Sequence, residues 1–321
     1  MGKRPLVVVG DALLDRDIDG QASRLAPDAP VPVVDVHGVH ERPGGAGLAA
    51  ALAAREGREV VLVTALGDGD ADQAVRGLLT DRVHMVAFAR HGTVPVKTRL
   101  RAGGRPLVRL DDGGGPVGAP TPAVRRVLAD AAAVLVCDYG QGTAGAVRAM
   151  LAQAARRVPV VWDPHPRGGA PVAGVRLAVP NAGEARVFAG HLAAGSGGSV
   201  LRQCAERAAA LCGHWQAAAV VITLGERGAL LSRGSASPML VPARRRVAGD
   251  PCGAGDCFAA TAAGALADGG LIEEAVQCAV RAATDFVAHG GAGNPTCWHP
   301  ARPASSQPAP DPADPFALAR S

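Results

Sequence analysis

Short apolar runs punctuate the chain at regular intervals. Residues 6–9, 60–63, 83–88, 133–136, 159–162, 177–179, 219–223 and 229–232 are β-branched or Leu-rich and read as buried strands. Ala-rich helical stretches lie between most of them, at 45–56, 70–80, 121–130, 144–156 and 200–212. This alternation predicts a mostly parallel sheet covered by helices on both faces. Such sheets bind ligands beyond the carboxyl ends of their strands. Polar residues follow the strands where that rule needs them: Asp11, Asp15, Asp138, Asp163, Asn181 and Gly225.

Two stretches break the pattern. Residues 30–41 and 94–110 alternate with period two, and Gly103-Gly104 makes a turn inside the second. They predict antiparallel strands inserted between the α/β units, a small sheet placed to act as a lid. The Pro/Ala-rich segment 299–321 predicts a disordered tail, leaving 1–298 as the folded domain.

Composition narrows the function. Apolar residues make up 48% of 321 residues, which permits a large core. Aromatics are only 3% and the net charge is +4, so neither base stacking nor a phosphate-backbone track is expected, and nucleic acid is not an expected partner. No apolar run approaches the roughly 20 residues that cross a bilayer. Seven cysteines without a Cys-x-x-Cys pair read as reduced thiols of a cytoplasmic protein. The nine histidines show no metal-ligand spacing.

The richest chemistry lies at Asp250-Pro251-Cys252-Gly253-Ala254-Gly255-Asp256, just before an apolar helix at 257–267. The first amides of a helix have no internal partner and favour an anion. Gly253, Ala254 and Gly255 can therefore hold a transferring phosphoryl group, while the Asp256 carboxylate takes a proton from an attacking hydroxyl. The plain alternative is a glycine turn with an Asp cap.

This stretch resembles the second signature of the ribokinase (PfkB) sugar kinases, Asp-x-x-Gly-Ala-Gly-Asp, and the resemblance runs from residue 5 to about 295. Thr223 to Gly228, with Gly225 between them, is similar to the family's nucleotide-phosphate turn, to which Asp250 is added. Asn181-Ala182-Gly183-Glu184 is similar to its Asn-x-x-Glu motif, linked with Mg²⁺ through water or phosphate. Arg42-Pro43-Gly44-Gly45 resembles the first Gly-Gly signature, and Gly10-Asp11 to Asp15 the opening strand with its sugar-binding aspartate.

Within the family the segments 10–16, 23–34 and 41–46, together with Lys97-Thr98-Arg99, Asp138-Tyr139-Gly140 and Asp163-Pro164, look most like bacterial heptose 7-phosphate kinases. The resemblance implies a ribokinase-like three-layer α/β/α sandwich with a mostly parallel central sheet and a small β-strand lid, formed by strands at about 16–42 and 92–111. It implies ATP and Mg²⁺ as cofactors, phosphorylation of an anomeric hydroxyl, and a homodimer through the lid. Asp15, Gly44, Gly45, Arg42, Lys97, Arg99 and Asp138 are then the substrate-binding candidates. No nucleotidyltransferase half is expected after the kinase region.

The match has departures. Leu48 stands where the family bonds sugar hydroxyls with Asn, and Leu can neither donate nor accept. Gln141 and His165 replace lysines, Arg281 replaces an Asn near the adenine, and Cys252 replaces Thr. They point to a remodelled sugar pocket beside intact phosphoryl-transfer machinery. A kinase for a different sugar, or a degenerate kinase acting as a sugar or nucleotide sensor, stays open. So does a dinucleotide site at Gly140-Gln141-Gly142-Thr143-Ala144-Gly145, which follows a strand and has Asp163 about 20 residues on.

Overall fold

The computed structural model describes residues 4–299 apart from 191, 193–197 and 236. The segment 300–321, which holds nearly all of the expected tail, lies outside the described residues. Strands run in chain order as β1 (Leu6–Gly10), β2 (Ala12–Leu25), β3 (Pro32–Gly45), β4 (Val60–Leu66), β5 (His84–Ala89), β6 (Thr93–Ala102) and β7 (Arg105–Gly114). Then come β8 (Ala133–Cys137), β9 (Val160–Asp163), β10 (Leu177–Ala178), β11 (Val220–Thr223), β12 (Ala229–Ser232) and β13 (Met239–Val241). The helices are α1 (Ala46–Arg55), α2 (Asp70–Leu79), α3 (Pro122–Asp130), α4 (Thr143–Ala146), α5 (Arg148–Ala154), α6 (Ala182–Ala189), α7 (Val200–Trp215), α8 (Ala254–Ala267) and α9 (Ile272–Ala288).

Among the described residues the main sheet has the order β13-β12-β11-β10-β9-β8-β1-β4-β5. From β11 to β5 its pairs are parallel, and β12 and β13 add an antiparallel edge. Alternate residues of β1 enter opposite cores: Leu6 and Val8 pack with α1, α8 and α9, Val7 and Val9 with α3, α5 and α7. That two-sided burial explains why the strands read as continuous apolar runs. The chain turns from β1 to β4 on one side and returns to β8 on the other. Ligands bind where the strand order reverses, beyond Gly10 and Cys137.

The two period-two stretches form β3, β6 and β7 of a separate four-stranded sheet, ordered β3-β2-β6-β7. Its remaining strand, β2, pairs along nearly its whole length with β3. The pattern hides β2 because its alternating positions are Asp15, Asp17 and Asp19, residues of low strand propensity. In register, β6 sets Lys97, Arg99 and Arg101 against those aspartates. The helix expected at 144–156 is interrupted at Val147, where φ is −102° and ψ is 9°. All seven cysteines are free thiols. Among the described residues no helix is long and apolar enough to cross a membrane.

Candidate active site

Asp256 sits in the first turn of α8 and is buried, with 6% of its surface exposed. The turn before it depends on glycine. Gly253 has φ +82°, and a side-chain carbon there would lie 2.7 Å from Leu48 Cδ2. Asp250 accepts the Cys252 amide at 2.9 Å, closing the turn. The anion hole is smaller than the spacing suggests. The Ala254 amide donates to the Pro251 carbonyl at 3.0 Å, so it is withdrawn from the site. Gly253 and Gly255 line the cavity beside Asp256.

Two cavities meet at this turn, and a third adjoins the second at Tyr139. A groove of about 390 Å³ lies between the β11–β12 turn, the 243–251 segment and helices α8 and α9. Thr223, Gly225 and Gly228 line it, with Val280, Ala283, Thr284 and Val287 supplying the α9 wall. Arg281 lies on the exposed side of α9 and does not line this groove. Asp250 is also absent from its walls, because its carboxylate is engaged in the turn.

The groove meets a second cavity of about 180 Å³ at Thr223 and Gly255. Four carboxylates line this one: Asp138, Asp163, Glu184 and Asp256. Burial pushes Asp256 up to about 7, although the Tyr139 hydroxyl and Lys97 pull the other way. Burial raises Asp138 to about 6 against an opposing hydrogen bond from the Gly140 amide. Burial, followed by the charges of Asp256, Glu184 and Asp138, holds Asp163 well above the usual carboxylate range. Burial also raises Glu184.

The Asn181–Glu184 motif has a structural role as well. Asn181 Oδ1 accepts the amides of Gly183 and Glu184, and Glu184 Oε2 accepts the Asn181 amide at 2.8 Å. This is a capping box on α6. It delivers Glu184 to the cavity wall.

Tyr139 is shared between the second cavity and a third, of about 170 Å³, under the lid. Lys97, Arg167, Gln141 and Asp111 line that third space. Arg109 holds Asp111 through two hydrogen bonds, and Asp112 folds back onto the Gly113 amide at 2.7 Å. Burial and the charges of Arg167 and Lys97 keep His165 below its ordinary value.

Several lid candidates are committed elsewhere. Arg42 is buried and bonded to buried Asp17. Arg99 Nη1 contacts Asp15 Oδ1 at 3.0 Å, and its Nη2 reaches Cys252 Sγ at 3.5 Å. Asp15 is therefore a buried carboxylate paired through Oδ1. A side chain at Gly44 would lie 2.6 Å from Asp15 Oδ2, and Gly45 adopts φ +56°, so both positions at the end of β3 require glycine.

The dinucleotide-like loop is occupied by the protein itself. Asp11 accepts amides from Tyr139, Gln141 and Thr143 at 3.1, 2.9 and 3.1 Å. Arg90 Nη2 lies 3.7 Å from the same carboxylate, and Arg90 Nη1 donates to the Gln141 carbonyl. A pyrophosphate needs these amides, and here a buried carboxylate holds them.

Sequence reasoning left one contact unseen. Tyr139 Oη donates to Asp256 Oδ1 at 2.7 Å. The signal was its place beside Asp138 at a strand end, as the only tyrosine of the chain.

A family profile described as pfkB family carbohydrate kinase matches residues 126–298. The chain belongs to the pfkB family of carbohydrate kinases. The bifunctional protein HldE of Streptomyces coelicolor is 55% identical to this kinase over 321 residues, spanning 99% of this chain and 67% of that one. HldE of Stutzerimonas stutzeri is 34% identical over 288 residues, and the chain spans 59% of its length. A solved ribokinase of Arabidopsis thaliana, complexed with ribose and ATP, superposes with a TM-score of 0.67 at 21% identity, covering 91% of this chain and 95% of that one. Phosphofructokinase-2 of Escherichia coli gives a TM-score of 0.67 at 17% identity, covering 91% and 94%. The kinase thus has the ribokinase-like α/β/α fold.

Proposed function

We propose that this carbohydrate kinase transfers the γ-phosphoryl group of ATP to the anomeric hydroxyl of a heptose 7-phosphate. Asp256 is the general base, and the Gly253 and Gly255 amides receive the moving phosphoryl group. The observation that carries the reading is the order of the cavities: an apolar groove, then the Asp256 turn, then a space lined by Lys97 and Arg167, whose neighbouring Asp111 and Asp112 are held by Arg109 and the Gly113 amide. Nucleotide, reacting centre and the far phosphate of the sugar follow in that sequence.

In the reaction the sugar O–H bond breaks toward Asp256, the new O–P bond forms, and the bond from the γ-phosphorus to the leaving ADP oxygen breaks. A base raised to about 7 is ionised in useful proportion at neutral pH and still basic enough to accept the proton. Amides at the start of α8 stabilise the charge on the transferring group without reorganising. The lid above the site serves to exclude water.

The donor set suits Mg²⁺. Asp163 and Glu184 are carboxylates held in a desolvated cavity, the oxygen chemistry that a hard cation prefers. Among the described residues no three His, Cys, Asp or Glu side chains are placed to hold one ion directly, so an ion here would keep waters and phosphate oxygens as its remaining ligands. Bound there, Mg²⁺ would neutralise triphosphate charge.

Leu48 supports a kinase for another sugar as the second reading. It is 1% exposed and packs against the Gly253 turn, and its side chain can neither donate nor accept a hydrogen bond to a sugar. The exposure of Val36, Val39, Val108 and Leu110 on the outward face of the lid supports a homodimer through that face.

Purified protein with ATP, Mg²⁺ and D-glycero-D-manno-heptose 7-phosphate should release ADP and give a 1,7-bisphosphate by ³¹P NMR. Asp256→Asn should lower kcat by at least about 10³-fold, the upper part of the range for a general base. Full activity in that variant removes Asp256 from the mechanism. Turnover of a different sugar alone selects the second reading.

A further inference from the structure

The base is not alone in its cavity. Tyr139 Oη lies 2.7 Å from Asp256 Oδ1, a short bond between a phenol and a carboxylate. Three contacts fix the tyrosine. Its amide donates to Asp11 Oδ2 at 3.1 Å, Lys97 Nζ sits 5.1 Å from its ring centroid, and His165 stacks on it at 6.5 Å with 22° between the planes. A buried carboxylate joined to a rigidly held donor has one oxygen assigned in advance.

We propose that Tyr139 is a positioning residue for the general base: its hydroxyl holds Asp256 Oδ1 and leaves Oδ2 to take the proton of the acceptor alcohol. The inference rests on Asp256 being that base. A hydrogen bond donated to the ionised form favours it, so the phenol opposes the effect of burial and keeps the carboxylate ionisable near neutral pH. Around Asp256 the lid contributes Asp15, which raises it, and Lys97, which lowers it. Cys137, Asp163 and, on its own helix, Cys257 feel its charge in turn. Tyr139 itself is pushed well above its ordinary value by burial and stays a donor across the neutral range.

The chain has one tyrosine, so growth on 3-fluorotyrosine places a single ¹⁹F probe at this contact. In the protein without substrates the resonance should titrate with a midpoint near 7 and lose that titration in Asp256→Asn. Asp138, raised to about 6, lines the same cavity, and the Asn variant isolates its contribution. Tyr139→Phe keeps the ring and its packing. It should displace the acid limb of kcat/KM upward by about 1–2 pH units, with most activity recovered near pH 9.

A resonance flat from pH 5 to 9, or one titrating unchanged in Asp256→Asn, overturns the proposal. Loss of activity by the same factor at every pH in Tyr139→Phe does so too, because a purely structural role moves no pKa. Full activity of Asp256→Asn would instead overturn the base assignment, which the ¹⁹F titration does not depend on.

Discussion

Leu48 packs directly beneath Gly253. A side-chain carbon on Gly253 would come within 2.7 Å of Leu48 Cδ2, 3.2 Å of Ala292 and 3.3 Å of Phe286. The residue that departs from the family's sugar-binding position is thus a floor for the phosphoryl turn. Gly253→Ala meets both this floor and a left-handed φ of +82°, a conformation costing a side chain roughly 1–2 kcal/mol. Its kcat should fall about 10²-fold or more through displacement of the turn. Leu48→Asn, which restores the family's residue type, should lower stability by about 2–4 kcal/mol, because it exchanges apolar burial for an amide with poor prospects of a partner. Urea unfolding and steady-state kinetics check the pair. A stable Leu48→Asn protein with improved sugar affinity would show that the floor also faces the substrate.

Asp256 makes stability depend on pH in the direction opposite to a salt-bridged carboxylate. Its folded pKa of about 7 exceeds the ordinary 3.8, so between these values the native state binds more protons than the unfolded state. Stability should therefore decline as pH rises from about 4 to 7, by up to about 4 kcal/mol from this group. Asp256→Asn is neutral throughout and keeps an acceptor for Tyr139. It should melt at a higher temperature than the parent protein at pH 8, with the difference vanishing near pH 4. Equal melting temperatures at pH 8 would show that the carboxylate is better solvated than its burial indicates.

The parallel sheet was legible because each strand, buried on both faces, reads as an unbroken apolar run. The Asp256 turn was legible because its glycines and carboxylate are contiguous. Much of what failed to show involved partners distant in sequence, though Ala254 and helix α6 turn on contacts only three residues apart. Asp11 looked like a strand-end ligand, yet three amides from residues 139–143 close on it and remove the dinucleotide alternative. Ala254 looked equivalent to its glycine neighbours until its amide met the Pro251 carbonyl. Helices α6 and α9 went unmarked in the periodicity, although the Asn181–Glu184 box announces the first of them. Arg42 and Arg99 looked like free cations because charge pairing across a sheet depends on a register that spacing does not reveal.

The Arg42–Asp17 pair tests that last point. Arg42 and Asp17 are 4% and 3% exposed, and Arg99 and Arg101 each lie 3.8 Å from Asp17. Removing one partner of a buried ion pair strands the other and typically costs about 3–5 kcal/mol. Arg42→Met should fall near the low end, since two further arginines partly compensate Asp17. The double variant with Asp17→Asn should recover much of the loss. Chemical denaturation of the single and double variants reads this directly. A stable Arg42→Met with a raised substrate KM would return Arg42 to the binding site.

Arg167 and Lys97 are the two cations that the third cavity exposes, and they make separable predictions. Arg167 arises two residues past His165, where the family's lysine is missing, and its backbone packs against Gly140: a side-chain carbon on Gly140 would lie 2.8 Å from the Arg167 carbonyl carbon. A charge-assisted contact to phosphate is worth about 1.5–3 kcal/mol, so Arg167→Met should lower kcat/KM for a heptose 7-phosphate by roughly 10- to 100-fold. The same change should leave turnover of the unphosphorylated heptose within about 2-fold, since that substrate has no anion to lose. Lys97→Met should show the same discrimination plus an upward move of the acid limb, because Lys97 also lowers Asp256. Added salt should raise the KM of the parent protein for the phosphosugar and flatten in Arg167→Met. Equal losses on both sugars would move the phosphate site out of this cavity.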